Sequence, residues 1–240
     1  MAYAVALLGP ALVVLSALGL GVAVGSPLPP APPLSACLSV PIMFVAFMLL
    51  GAIEEIGWRA FALPRLLNRL APVRASLLLG VVWGVWHAPQ WFIPETGQSG
   101  FPFPAFVVWV VALSIMFTWI FNGTRSVLLV ILIHAATNAF QTPWLAGLAM
   151  VPASGRGIDP HLLVLVPQVV LSLAIVGLTC GRLTLYDVPR PSHRPHARPA
   201  WLTPVLTGLV GALVLLAGFG AFVQAVAANH DRRAFRRQGR

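Results

Sequence analysis

The stretch CLSVPIMFVAFMLLGAIEEIGWR, residues 37–59, decides how this chain is read. Cys37 to Ile53 carry no charge at all, and two adjacent carboxylates, Glu54 and Glu55, follow at once, with Arg59 one turn further on. An apolar run of this kind is long enough to cross a hydrocarbon core of about 30 Å. A carboxylate beside it costs roughly 2.5–3.5 kcal/mol or more if it faces lipid. Only six acidic residues occur in the 240, so two of them side by side at this place are there for a bundle interior and for function, not for solubility.

The rest of the chain has the same character. It is 58% hydrophobic and 9% charged, its mean hydropathy is +0.88, and apolar runs of near-spanning length recur from end to end. Composition therefore indicates an all-α, polytopic transmembrane helical bundle. All 15 basic residues are arginine, in an Ala-, Pro- and Gly-rich background, which suggests a bacterial cytoplasmic membrane as the setting. The net charge of +9 lies in loops and tails and reads as orientation in the lipid bilayer, with no nucleic-acid partner. Cys37 and Cys180 are isolated in apolar runs and read as plain packing residues, without a disulfide framework.

About seven spans are expected, at 3–25, 36–63, 75–93, 103–121, 126–147, 161–180 and 202–227. The first reads as a retained helix and not a signal peptide. Ser26–Pro33, with five prolines, reads as an extended connector. The chain is thus expected to divide into 1–36 (first helix and connector), 37–147 (catalytic core) and 148–240 (C-terminal helices with a basic loop and tail). Arg59, Arg65, Arg69 and Arg74, then Arg125, then Arg182, Arg190, Arg194 and Arg198 mark three cytoplasmic loops, leaving the segments around Glu95 and around Arg156 and Asp159 outside. Seven spans put the tail with Arg232, Arg233, Arg236, Arg237 and Arg240 outside too, against the same tendency; three loops outvote one tail.

The second and third spans form a hairpin whose turn centres near Leu70, with Pro64 and Pro72 expected to limit helix on either side. Glu54 and His87 are nearly equidistant from that centre, so both lie on the order of 20 Å from the turn at 1.5 Å rise per residue. His134 and Asn138, nine and thirteen residues beyond Arg125, reach roughly 14–20 Å. Three helices thus bring polar groups to about one level. Glu55 and Arg59, four apart, are expected to form an internal ion pair, leaving Glu54 on the neighbouring face. His134 and Asn138 are also four apart and share a face. Trp83, one turn before His87, would wall the pocket or orient the ring. A carboxylate, two imidazoles and an amide can activate a water and stabilise an oxyanion, which is the chemistry of hydrolysis. His161, His193, His196 and His230 lie at span ends or in polar segments and carry no role in this reading. The sequon at Asn122 is set aside because it is expected on the cytoplasmic side.

These residues resemble a known family. Glu54-Glu55-Ile56-Gly57-Trp58-Arg59 is similar to the E-E-x-x-x-R motif of the CPBP family, the CAAX prenyl endopeptidases and bacteriocin-processing (Abi) membrane proteases. Trp83 to His87 resembles its F-x-x-x-H motif, with tryptophan where phenylalanine is usual, and His134 to Asn138 resembles its H-x-x-x-N motif. The resemblance covers 37–147. It implies an intramembrane endopeptidase in which Glu54 and His87 activate the attacking water, His134 and Asn138 stabilise the oxyanion, and Glu55 and Arg59 support them. Two readings of the cofactor follow: a Zn²⁺ held by Glu54, His87 and His134, or a metal-free, glutamate-activated water, which the lack of an H-E-x-x-H arrangement favours slightly. The partner is a peptide or protein substrate, prenylated or otherwise membrane-associated, whose identity the sequence does not give. A non-catalytic scaffold or bacteriocin-immunity protein using the same pocket is the alternative. A proton-coupled transporter would show paired repeats or broken helices, and neither is evident.

Overall fold

The computed structural model describes residues 2–25, 34–93, 100–149 and 160–184. Among these residues every regular element is helical: α1 (Ala2–Ala23), α2 (Leu34–Glu55), a π-helical segment (Ile56–Ala62), α3 (Leu63–Leu67), α4 (Pro72–Trp86), a 3₁₀ turn (Ala88–Phe92), α5 (Phe103–Thr124), α6 (Val127–Ala149) and α7 (Pro160–Leu178). The all-α membrane bundle read from composition is therefore what forms. Within the described residues Tyr3–Ala23, Phe103–Thr124 and His161–Leu178 are long and apolar enough to cross a membrane, while Cys37–Leu49 and Val127–Gln141 are shorter apolar stretches inside α2 and α6. The Ser26–Pro33 connector, the segments around Glu95 and around Arg156 and Asp159, the expected seventh span and the basic tail lie outside the described residues.

Three expectations change. Pro64 does not end the helix: it falls in α3, which continues the π-helical segment without a break. Pro72 does bound the helix on its side, opening α4 where the missing N–H costs nothing because the first turn has no intrahelical acceptor for it. The hairpin turn is correspondingly short, confined to Asn68–Ala71. The third span is not one helix over 75–93: the α-helix ends at Trp86 after 15 residues, about 22 Å at 1.5 Å per residue, and the chain tightens into the 3₁₀ turn around Pro89. Cys37 and Cys180 are exposed on the protein surface and are not interior packing residues.

The chain divides into two compact units, Met1–Gly84 with Pro104–Arg190, and Val85–Phe103 with Pro191–Arg240. In the first, α1 packs on α6 and α7, and α2 packs on α6. Val13 and Ala17 of α1 meet Leu163 and Val164 of α7 in a small apolar cluster. α4 and α5 approach closely at two glycines one turn apart. A Cβ at Gly80 would stand 2.7 Å from the Val111 Cα, and one at Gly84 would stand 3.2 Å from the Val107 Cα. Small residues at such spacing let membrane helices bring their backbones together, where dispersion and interhelical hydrogen bonds replace the hydrophobic effect as the driving force. The Ser114 hydroxyl accordingly donates to the Ser76 carbonyl across this seam at 2.9 Å, and Ser172 of α7 donates to the Ala112 carbonyl of α5 at 2.7 Å. α5 is thereby tied to helices on two sides, and it presents Phe117 to the polar centre.

The described part of the second unit is a tight excursion. Trp91 donates its indole N–H to the Phe101 carbonyl at 2.7 Å and meets the Phe103 ring edge to face at 5.0 Å between centroids. His87 caps the N-terminus of the 3₁₀ turn without a side-chain capping bond and lies edge-on to Trp86 at 5.0 Å.

Candidate active site

α2 ends on the two carboxylates, and the helix then widens. Leu63 donates its N–H to the Trp58 carbonyl, the i→i−5 bond that defines a π turn. Such inserted turns change which way successive side chains face and recur at functional sites. Glu55 and Arg59 are both fully buried, and Arg59 Nη1 donates to Glu55 Oε1 at 3.0 Å. The expected ion pair is formed. The same Oε1 also meets His134 Nδ1 at 2.8 Å, a contact the sequence reading missed. A carboxylate held against a guanidinium can only accept, so Nδ1 carries the proton and donates.

Aromatic rings close around this pair. The Arg59 guanidinium lies over the Trp83 ring at 4.4 Å and over the Phe117 ring at 4.9 Å. His134 meets Trp83 edge to face at 5.4 Å and lies tilted against Phe117 at 5.7 Å. A cation this deep is compensated by the carboxylate and by the negative faces of the rings, since an isolated buried charge would cost several kcal/mol. Glu55 Oε2 and Arg59 Nε and Nη2 are nonetheless buried without a hydrogen-bond partner.

Glu54 is different. It is half-buried where Glu55 is sealed, and its Oε2 accepts the Trp83 indole N–H at 2.9 Å. Two neighbours in sequence thus have separate environments, one carboxylate locked into an internal network and the other partly open to visitors. Asn138 lies one turn beyond His134 on α6, also half-buried. The structure therefore brings Glu54, Glu55, Arg59, Trp83 and His134 together within the first unit, with Asn138 on the same helical face as His134, and places His87 in the second unit beside Trp86. Phe117 was absent from the sequence reading. An apolar residue in an apolar helix gives no signal of its own until a cation is seen above it.

Among the described residues no three or more His, Cys, Asp or Glu side chains form a group that could hold a metal. A metal held by Glu54 and His134 would use Glu54 Oε1 and His134 Nε2, since Glu54 Oε2 accepts an indole N–H and His134 Nδ1 faces Glu55, the carboxylate–histidine arrangement usual behind a metal-ligating imidazole.

Residues 36–140 match the family described as type II CAAX prenyl endopeptidase Rce1-like. Over these residues, less than half of its length, the chain is similar to that family. That Rce1-like segment contains Glu54, Glu55, Arg59, Trp83, His87, His134 and Asn138. A protein named CAAX prenyl protease 2 from Methanococcus maripaludis is 30% identical over 109 residues, 42% of this chain and 40% of that protein. The chain thus spans about two fifths of the length of this relative. No solved structure matches it.

Proposed function

We propose that this chain is an intramembrane endopeptidase of the CAAX type, cutting a peptide bond near the membrane surface of a prenylated or membrane-associated protein with a water activated by Glu54. One observation carries the reading: of two adjacent intramembrane carboxylates, the fully buried Glu55 is committed to Arg59 and His134, while Glu54 is held at one oxygen and stays partly accessible. An accessible carboxylate inside an apolar helix has little reason to exist except to receive a substrate or a proton.

In the proposed step the Glu54 carboxylate takes a proton from water as the water oxygen attacks the scissile carbonyl carbon; the family resemblance assigns His87 to the activation of water as well. The carbonyl oxygen becomes an oxyanion, stabilised by donors from His134 and Asn138. The C–N bond then breaks, and the proton held by Glu54 passes to the departing amine. The hydrogen bond to Glu55 sets a condition on His134. With Nδ1–H turned to Glu55, the neutral ring has only a lone pair at Nε2, so it donates to an oxyanion only when doubly protonated, a charge that the Glu55 carboxylate beside it would balance.

The name of the Methanococcus relative supplies the substrate to try first. A farnesylated peptide ending in Cys-aliphatic-aliphatic-X, incubated with the detergent-purified chain, is expected to release the intact C-terminal tripeptide, read by mass spectrometry. The same peptide without the farnesyl group is expected to be cut more slowly. Release from neither peptide would overturn the CAAX-type assignment.

A further inference from the structure

We infer that Trp83 is a positioning residue for hydrolysis, its indole N–H fixing the carboxylate of Glu54 for proton abstraction. The inference rests on the reading of Glu54 as the general base. Trp83 is 2% exposed, and a buried indole needs an acceptor for its N–H. That acceptor is Glu54 Oε2 at 2.9 Å, 29 residues away in sequence and on another helix. No turn or helix geometry makes this bond by default; it exists because α2 and α4 meet here.

The ring is itself fixed on several sides. Its face lies under the Arg59 guanidinium at 4.4 Å, it meets His134 edge to face, and it is tilted against Phe117 with centroids 5.9 Å apart. One side chain therefore ties the accessible carboxylate to the sealed Glu55–Arg59–His134 network. Glutamate has three side-chain torsions, and a half-buried one wanders unless something holds its head group. A general base must lie within hydrogen-bond reach of the proton it takes, and small misplacements of a reacting group are costly. A phenylalanine at this position, as in the motif this chain resembles, would supply the ring but not the donor. The positioning bond is thus a property of this chain's tryptophan.

The test separates the N–H from the ring. Trp83→Phe removes the donor and shrinks the ring; replacing Trp83 with the isostere 3-benzothienylalanine, in which sulfur stands for the N–H, removes the donor and keeps the bicycle. Both are assayed on a cleaved peptide, with melting temperature recorded. Loss of one hydrogen bond to a charged acceptor corresponds to a fall in kcat of roughly tenfold to a hundredfold, and KM should stay within about twofold of the parent because the bond positions a reacting group and does not bind substrate. If the isostere turns over like the parent, or if it changes KM alone, the inference is overturned, whether or not Trp83→Phe folds. Glu54→Ala keeps the two failures apart. An active Glu54→Ala protein would remove the general base itself, whereas an inactive one beside a fully active isostere would remove only the role of Trp83.

Discussion

Replacing Glu54 with alanine is expected to lower turnover by about 10²–10⁴-fold, the usual contribution of a positioned general base, with a loss of stability of about 1–3 kcal/mol, that of one buried unsatisfied donor. The structural argument for so limited a loss is exposure. Glu54 is half-buried with its Oε2 on an indole, so alanine there leaves an unsatisfied N–H on Trp83 but strands no buried charge. His87→Ala and His134→Ala are expected to abolish turnover as well. Asn138→Ala should remove about 2.7–4 kcal/mol of transition-state stabilisation if its amide is an oxyanion donor. Rates for the four variants, measured on the same peptide at matched folded protein, check this. Near-parental turnover by any of them removes that residue from the mechanism.

The neighbouring pair should behave in the opposite way. Arg59→Met leaves the Glu55 carboxylate fully buried with His134 as its remaining partner, and Glu55→Leu leaves a guanidinium sealed between Trp83 and Phe117. Removing one member of a buried pair typically costs about 3–5 kcal/mol, because the other charge is stranded. Both single variants should therefore show markedly lower melting temperatures and yields. The double variant, apolar at both places, should recover much of this loss. Recovery should stop short of the parent, since His134 Nδ1 then has lost its acceptor. Single variants as stable as the parent would show that the pair contributes nothing in the folded protein.

Much of this site can be read in the sequence, and the reasons it can are local. Two carboxylates after seventeen uncharged residues stand out by composition, and the spacings Glu55–Arg59 and His134–Asn138 follow from the 3.6-residue turn. Six of the expected spans correspond to described helical segments, because apolar length is what the bilayer selects. What escaped are features that depend on how helices rotate against one another. Four-residue spacing says that Glu55 can meet Arg59 within α2 and the π turn; it says nothing of His134, 79 positions on. The bond from Trp83 to Glu54 joins two helices and was equally hidden. So was the close seam at Gly80 and Gly84, since a pair of glycines four apart marks a contact only when a partner helix is known. The early end of α4 at Trp86 went unread for a different reason. Trp91, Phe92 and Ile93 keep the hydropathy high, although Pro89 and the 3₁₀ turn have already broken the α-helical hydrogen bonding.

The central claim is that the Glu54 carboxylate, held by this chain's own side chains, activates water directly. Metal content and turnover measured on one preparation test it most directly. The account expects fully active protein to contain well below one equivalent of zinc or other transition metal and to keep its rate after exhaustive chelation. About one equivalent of bound metal, with activity lost to the chelator and restored by zinc, would contradict it.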